Sequence, residues 1–311
     1  DIANDLKSKI EVGLGADGTE IKCLLTYIHP KKDGIKGEAT VFDLGGTNFR
    51  AAVVSVGEET KITGVAEKNI TEMKAAGFTE TDLYNSEAET IKKLNIPANS
   101  SIGYCFSYPA KPMLNGDAEL IVWTKGVNIP GMTGKPIGAP MVEYLNKTIN
   151  AGFNGKIAVV NDTITSLFAG LANPGYDAYI GLIVGTGTNM ATFFPSDYIP
   201  KLVGVDGWSG ETPVNLESGN HNPPHLTAFD TKVDEESDNK GFQRFEKAIS
   251  GMYLGRIFRA VYPNDGFDES LDAAALSRMM NNPADYKPEY VETAFQIYQR
   301  SAKLVAASIA G

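Results

Sequence analysis

Two turns of the same composition, each between two apolar segments, are the features of this sequence most suited to chemistry. Gly46-Thr47-Asn48 lies within residues 41–51, and Gly187-Thr188-Asn189 lies within residues 183–191. Glycine lets a backbone approach a phosphate group closely, and the threonine hydroxyl adds a hydrogen-bond donor. Either turn alone also suits an ordinary hairpin, because Gly and Asn accept positive φ. Two matching turns in two halves of the chain favour a two-part phosphate clamp.

Asp162 is the candidate for a general base. It follows the apolar segment 156–160, which has the pattern of a buried strand, and α/β proteins bind ligands at the carboxyl ends of strands. The alternative is a structural role as a helix N-cap, because residues 161–163 precede a segment with helical periodicity. The residues alone leave both interpretations open.

Glu246 is the second candidate, because of the side chains that surround it on a predicted helix. A helix that begins at Phe242 would present an apolar stripe formed by Phe242, Phe245, Ile249, Met252, Tyr253 and Ile257. Glu246 falls inside this stripe, and a carboxylate that faces a core needs a partner. The partner is either a ligand or the other member of a structural ion pair.

Two other patterns are less informative. His221 and His225 flank Asn-Pro-Pro, and a solvent-exposed loop is favoured over a metal site because no nucleophile or thiol is suitably spaced around them. The segment 131–135 resembles a P-loop only at first sight. Ile129 stands where that motif needs its first glycine, and Pro136 stands where it needs Ser or Thr.

Hairpins followed by helices, twice along the chain, predict an α/β protein with two lobes. The strand-like segments are 38–44, 49–56, 61–67, 101–107, 118–123, 156–161, 178–184 and 190–194. The helical segments are the lead-in within 1–30, then 71–94, 138–151, 163–171, 242–262, 270–281 and 286–310. Residues 200–240 are polar and predict loops with short elements.

Composition excludes several classes of partner. The 311 residues carry a formal net charge of −10, and nucleic acids or anionic membranes need basic surface. No run of about 18 apolar residues is present, so no membrane span is expected. Cys23 and Cys105 lie in apolar segments and predict buried free thiols in a reducing compartment. A cytoplasmic location is therefore expected.

Eight stretches in the same order resemble the hexokinase and glucokinase family. They are residues 42–50, 106–109, 123–126, 161–163, 185–189, 215–217, 243–247 and 250–255. The resemblance implies an actin-like ATPase fold of the ribonuclease H-like type, with two lobes and a cleft between them. It assigns residues 38–160 to the small lobe, and residues 1–37 and 161–311 to the large lobe.

The resemblance also implies an activity, the transfer of the γ-phosphate of ATP to the 6-hydroxyl of a hexose. The products would be hexose 6-phosphate and ADP, as in the first step of glycolysis, with D-glucose as the expected substrate. Asp162 would be the base and Lys125 would balance charge beside it. The sugar contacts implied by the family are Ser107, Thr124, Lys125, Asn161, Asp162, Asn189, Glu217, Gln243 and Glu246.

The nucleotide side of the site follows from the same resemblance. Asp43 would engage Mg²⁺, through water because this ion keeps much of its hydration. The residues implied to hold the phosphates are Gly45, Gly46, Thr47, Asn48, Gly185, Thr186, Gly187 and Thr188.

Some residues depart from the family pattern. Ser218 stands where the family usually has Trp, and Tyr108 replaces a Phe. Residues 300–307 resemble the helix before the adenosine-binding region, whose glycine-rich motif is not in this sequence, so a C-terminally shortened enzyme is expected. The alternatives are a hexose-binding sensor without turnover and a sugar-responsive repressor. The repressor is disfavoured because no helix-turn-helix or cysteine zinc motif precedes the first glycine turn.

Overall fold

The computed structural model describes residues 1–29, 36–171, 173, 175–206 and 208–311. The α-helices are α1 (Ile2–Gly15), α2 (Glu80–Ile91), α3 (Gly138–Ile149), α4 (Asp162–Gly170), α5 (Ala228–Glu235), α6 (Arg244–Ile249), α7 (Gly251–Val261), α8 (Ala273–Asn281) and α9 (Pro288–Ala310). The strands are β1 (Leu24–Leu25), β2 (Gly37–Leu44), β3 (Asn48–Val56), β4 (Thr60–Asn69), β5 (Ser101–Phe106), β6 (Ala110–Pro112), β7 (Ala118–Leu120), β8 (Ile157–Val160), β9 (Ile180–Val184), β10 (Thr188–Pro195) and β11 (Glu211–Asn215).

The chain divides into two compact units. The first unit comprises residues 24–175 and 211–213, and the second comprises residues 1–23, 176–210 and 214–311. This division differs from the predicted lobes, because residues 24–37, 161–175 and 211–213 fall in the first unit with residues 38–160. For residues 161–175 the reason is local: α4 directly follows β8, which pairs in parallel with β5. Residues 30–35, 172, 174 and 207 of the predicted lobes lie outside the described residues.

The first unit is built on a five-stranded sheet with the order β4-β3-β2-β5-β8. β2 pairs antiparallel with β3 but parallel with β5, and β5 pairs parallel with β8. Leu44 is opposite Phe106, and Cys105 is opposite Val160. Parallel strands end at the same edge of a sheet. The residues that follow β2, β5 and β8 are therefore brought to a common edge.

A cluster of buried aromatic rings packs together in the first unit. Phe42, Tyr104, Phe106, Tyr108 and Trp123 are all buried. The Tyr108 and Trp123 rings meet edge to face with centroids 4.7 Å apart, a geometry that adds about 0.5–1.5 kcal/mol beyond burial. The rings fix the backbone from which the polar side chains of the edge project.

The second unit contains the β9–β10 hairpin and most of the helices. Thr188 is opposite Val184 across the hairpin, and residues 185–187 form its turn. Leu254, Phe258 and Leu276 belong to the core formed by α7, α8 and α9. Both units thus combine strands and helices, which confirms the predicted α/β class. In the part of the chain that the structure describes, no helix is long and apolar enough to cross a membrane.

The prediction of one helix over residues 242–262 is wrong. Ser250 adopts an extended conformation, with φ −83° and ψ 154°, and separates α6 from α7. The two helices therefore do not share one continuous apolar stripe. Phe242 is 69% exposed and Met252 is 51% exposed, although both were assigned to the buried side.

Candidate active site

The first glycine turn connects β2 to β3. The Gly45 N–H donates to the Asn48 carbonyl oxygen at 3.0 Å. Among the residues that the structure describes, those with left-handed φ do not include Gly45, Gly46 or Asn48, so hairpin geometry does not explain these residue types. At Gly46 the reason is a close approach, because a Cβ atom would lie 3.1 Å from Lys125 Cδ.

Lys125 lies across this turn and is fixed by two contacts. Its Nζ donates to the Ser107 carbonyl oxygen at 2.6 Å and lies 5.1 Å from the centre of the Tyr108 ring. Lys125 and Gly126 both have left-handed φ, 58° and 78°, so the chain turns tightly just after Thr124. The structure thus brings the first glycine turn, Ser107 and Lys125 together.

Asn161 and Asp162 begin α4, and the structure distinguishes their roles. Asn161 is the N-cap, and its side chain accepts a hydrogen bond from the Thr163 N–H at 2.9 Å. Asp162 is the first residue of the helix, and its Oδ1 accepts from the same N–H at 2.8 Å. The N-cap position is therefore filled by Asn161, which weakens the structural alternative for Asp162.

Asp43 and Asp162 both lie close to the Cys105 thiol. Burial raises the pKa of Cys105 to about 12; the Thr165 hydroxyl lowers this pKa, and the charges of Asp43 and Asp162 raise it further. Asp43 is opposite Cys105 in the register of β2 and β5. The predicted magnesium-binding residue and the predicted base thus share one edge of the first unit.

The surroundings of Asp43 fit a hydrated magnesium ion. Its Oδ2 accepts from Arg50 Nη1 at 3.3 Å, and both side chains are substantially exposed. The Arg50 side chain also contacts Glu67, with Nε 3.2 Å from Oε1. Among the described residues, no group of three or more His, Cys, Asp or Glu forms a metal cluster. One or two carboxylates completed by water and phosphate oxygens is the arrangement that Mg²⁺ prefers.

The second glycine turn connects β9 to β10 in the second unit. The Gly185 N–H donates to the Gly187 carbonyl oxygen at 2.9 Å. The Thr188 hydroxyl donates to the Ile183 carbonyl oxygen at 2.9 Å, and Thr188 is buried. Thr186 is exposed. Thr186 is therefore better placed than Thr188 to offer a hydroxyl to a phosphate in this conformation.

Three polar side chains form a network next to this turn. Asn189 Nδ2 donates to Asn215 Oδ1 at 2.7 Å, and Asn215 Nδ2 donates to Glu217 Oε1 at 2.8 Å. Asn215 is buried and was not predicted as a site residue. Its signal in the sequence is a polar amide inside the otherwise apolar segment 213–216. Ser218, where the family usually has Trp, is fully buried beside the network.

Glu246 and Gln243 come from the start of α6. Glu246 is partly buried, and its Oε2 accepts from the Thr188 N–H at 2.9 Å. Gln243 has a left-handed φ of 51°, and its Oε1 accepts from Asn239 Nδ2 at 2.7 Å.

Some residues that the family resemblance assigned to the site have a strained backbone conformation. In the part of the chain that the structure describes, the non-glycine residues with left-handed φ are Cys23, Asn99, Lys125, Asn150, Glu217 and Gln243. Three of these six, Lys125, Glu217 and Gln243, are predicted sugar contacts. Such conformations cost on the order of 1–3 kcal/mol each and cluster at functional sites.

The prediction of an exposed loop at His221 is wrong. His221 is fully buried, and its Nε2 lies 2.8 Å from Asp5 Oδ2 in α1. The hydrogen bond to His221 holds the pKa of Asp5 below its ordinary value. His225 is exposed, as expected. His221 therefore ties α1 to the loop before α5, which sequence spacing did not indicate.

Comparisons with known proteins show to which family the chain is similar. Two family models described as hexokinase match residues 1–171 and 179–290. Hexokinase-3 of Oryza sativa subsp. japonica is 34% identical over 292 residues, which cover 88% of this chain and 57% of that protein. Hexokinase-1 of Arabidopsis thaliana is 36% identical over 281 residues, which cover 84% of this chain and 55% of that protein. The chain spans about half the length of these curated relatives.

Solved structures give the same result for the fold. The hexokinase from Schistosoma mansoni complexed with glucose superposes with a TM-score of 0.77 and 26% identity, over 99% of this chain and 80% of that one. The glucokinase from Balamuthia mandrillaris in complex with glucose has a TM-score of 0.51 and 16% identity, over 96% of this chain and 78% of that one. The predicted actin-like ATPase fold is confirmed.

Proposed function

This chain belongs to the hexokinase family, and from that premise we propose that it transfers the γ-phosphate of ATP to the 6-hydroxyl of a hexose, D-glucose above others. The observation that carries the proposal is the convergence at one sheet edge of the first unit. There Lys125 lies against the first glycine turn, and the Asp43 and Asp162 carboxylates both lie close to the Cys105 thiol.

Asp162 supplies the base in this proposal. As the sugar O6 forms a bond to the γ-phosphorus, the bond from that phosphorus to the β–γ bridging oxygen breaks and ADP leaves. The O6 proton passes to the Asp162 carboxylate, whose Oδ1 also accepts the Thr163 N–H at 2.8 Å. That hydrogen bond fixes the carboxylate, which is what a general base needs to work on a single hydroxyl.

Lys125 and the first glycine turn supply positive charge and donors. The Lys125 ammonium is fixed by the Ser107 carbonyl at 2.6 Å, so its charge is positioned before substrate binds. Fixed charge is worth more than mobile charge when negative charge develops in the transition state. Bound Mg²⁺ would neutralise charge on the phosphates, and Asp43 would hold it through water.

The hexose contacts are proposed as two sets. Ser107, Thr124, Lys125, Asn161 and Asp162 belong to the first unit, and Asn189, Glu217, Gln243 and Glu246 belong to the second. Sugar hydroxyls donate and accept, and carboxylates with amides satisfy both needs. A hexose-binding sensor without turnover is less well supported, because binding alone requires neither Asp162 nor a positioned Lys125.

The experiment is a coupled assay of glucose 6-phosphate formation, with mannose and fructose as competing substrates. It should use the chain together with any further segments of its natural protein, because the chain spans only about half the length of the curated relatives. ATP- and Mg²⁺-dependent product is expected. Glucose binding measured by calorimetry, with no ATP consumption in the same preparation, would support the sensor instead.

We also propose a cytoplasmic location without nucleic-acid or membrane partners. The free thiols Cys23 and Cys105 and the net charge of −10 support this. Two relatives, hexokinase-2 of Nicotiana tabacum and hexokinase-4 of Oryza sativa subsp. japonica, are described as chloroplastic. Fractionation of source cells followed by immunoblotting distinguishes the two locations.

A further inference from the structure

The side chain of Glu246, in α6, contacts the second glycine turn. Its Oε2 accepts a hydrogen bond from the backbone N–H of Thr188 at 2.9 Å. Hydrogen bonds to an ionised acceptor are about twice as strong as neutral ones. The hydrogen bond between Thr188 and Glu246 joins two segments that are 58 residues apart in the sequence.

Two glycines enclose this carboxylate. A Cβ atom at Gly187 would lie 2.6 Å from Glu246 Oε2, which is too close for a side chain. At Gly219 a Cβ atom would lie 2.9 Å from the Thr188 carbonyl oxygen and 3.3 Å from Glu246 Cβ. The absence of side chains at both positions lets the carboxylate reach the Thr188 N–H.

The segment that carries Glu246 is itself firmly held. Lys247, the next residue, is 2% exposed, and its Nζ donates to Asp234 Oδ1 at 2.6 Å. From α9, the Ser301 hydroxyl donates to the Ile249 carbonyl oxygen at 2.8 Å. The position of Glu246 is therefore determined by α5 and α9 and does not depend on a ligand.

The same segment also holds the other side of the turn. The Gly251 N–H, at the start of α7, donates to the Gly185 carbonyl oxygen at 2.7 Å. Ser250, which lies between the two helices, is fully buried and extended. Glu246 in α6 therefore accepts a hydrogen bond from one end of the turn, at Thr188, and Gly251 in α7 donates one to the other end, at Gly185.

We propose that Glu246 is a positioning residue of the second phosphate turn, a role separate from its contact with a hexose. Its carboxylate sets the backbone of Gly187 and Thr188 so that the exposed amides of the turn are arranged before a phosphate arrives. This proposal rests on the proposed function in one respect, namely that residues 185–188 bind a phosphate group. The backbone geometry that Glu246 imposes is measurable without any ligand.

The first test is amide hydrogen exchange at Thr188, followed by NMR on the ligand-free protein. Glu246→Ala removes the acceptor, so exchange should rise at least about tenfold. Glu246→Gln keeps an acceptor oxygen and should restore protection to within about threefold of the parent protein. Glu236→Ala removes an exposed carboxylate of the same unit and serves as the matched control. Leu254, in the core of α7, reports general loss of stability.

Unchanged exchange at Thr188 in Glu246→Ala would overturn the proposal. An equal rise at Thr188 and Leu254 would also overturn it, because the role of Glu246 would then be general stability.

The second test measures phosphate affinity without changing charge. Gly187→Ala adds a Cβ that must displace the Glu246 carboxylate, so the Kd for MgATP without hexose should rise on the order of tenfold. Glu236→Ala should leave this Kd within about twofold. An unchanged Kd in Gly187→Ala would contradict the proposal. If the parent protein binds no MgATP, the proposed function fails, while Thr188 exchange still decides the role of Glu246.

Discussion

The Lys125 ammonium lies 2.6 Å from the Ser107 carbonyl oxygen, and this contact places a fixed positive charge across the first glycine turn. The side chain runs over Gly46, where a Cβ atom would lie 3.1 Å from Lys125 Cδ. At Gly45 a Cβ atom would lie 3.7 Å from the Asn48 carbonyl oxygen, which is an ordinary contact. A side chain at position 46 would therefore crowd Lys125, whereas a side chain at position 45 would make only an ordinary contact.

Gly46→Ala should lower kcat for hexose phosphorylation on the order of tenfold, because the new methyl group displaces Lys125. Gly45→Ala is the matched variant in the same turn and should lower kcat less. Steady-state kinetics on both variants provide the comparison. Equal effects of the two substitutions would show that the contact between Gly46 and Lys125 has no catalytic role.

Glu87 should make the first unit less stable as pH rises. This carboxyl group is fully buried, Tyr104 donates to it at 2.7 Å, and burial raises its pKa from 4.5 to about 8. The unfolded chain loses this proton near pH 4.5 and the folded chain keeps it. The free energy of unfolding should therefore fall by up to about 1.4 kcal/mol per pH unit between these values.

Urea unfolding at pH 5, 6, 7 and 8 measures this dependence. Glu87→Gln, which stays neutral, should flatten the curve over that interval. A Glu87→Gln variant that follows the parent protein at every pH would show that Glu87 does not cause the dependence.

The buried Lys247–Asp234 pair should be critical for stability. Lys247 is 2% exposed and donates to Asp234 at 2.6 Å. Burial raises the pKa of Asp234, but hydrogen bonds from Lys247 and the Gly241 N–H more than offset this, and the pKa is lowered overall. Lys247→Met removes the 2.6 Å ion pair and leaves the Asp234 charge with the Gly241 N–H and with Arg244 Nε at 4.0 Å, so it should cost about 3–5 kcal/mol.

Denaturant unfolding of Lys247→Met tests this cost. The control is Lys61→Met, which removes the exposed ion pair with Glu59 and should change stability by less than about 1 kcal/mol. A similar small change in both variants would mean that the buried pair contributes no more than the exposed one.

Local patterns predicted the parts of the fold that depend on neighbouring residues. The strands on both sides of each glycine turn are confirmed as β2 with β3 and β9 with β10, because apolar alternation and turn residues are adjacent in sequence. α5 lies in the segment 200–240, which was predicted as loops with short elements and not as a helix at this position, although Thr227 and Asp230 form a capping box at its start. That signal is local and was available in the sequence.

Contacts between distant segments could not be predicted in the same way. His221 and Asp5 are 216 residues apart, and Asn189 meets Asn215 from another strand. Periodicity carries no information about such partners, because it reports only which face of an element is apolar. The break in the helix at Ser250 also depends on contacts between distant segments. Gly251 donates to the Gly185 carbonyl oxygen and Ser301 donates to the Ile249 carbonyl oxygen, and these hydrogen bonds stabilise a conformation that helix propensity does not favour.

Asp162→Asn tests the central claim most directly. Asparagine keeps the size and an acceptor oxygen for the Thr163 N–H, while Asn161 remains the N-cap, so folding and hexose affinity should change little. Loss of the base should lower kcat by about 10²–10⁴-fold. Asn161→Ala is the matched control for capping and should cost about 1 kcal/mol of stability. Retention of more than about a third of the parent kcat by Asp162→Asn would show that Asp162 is not the base.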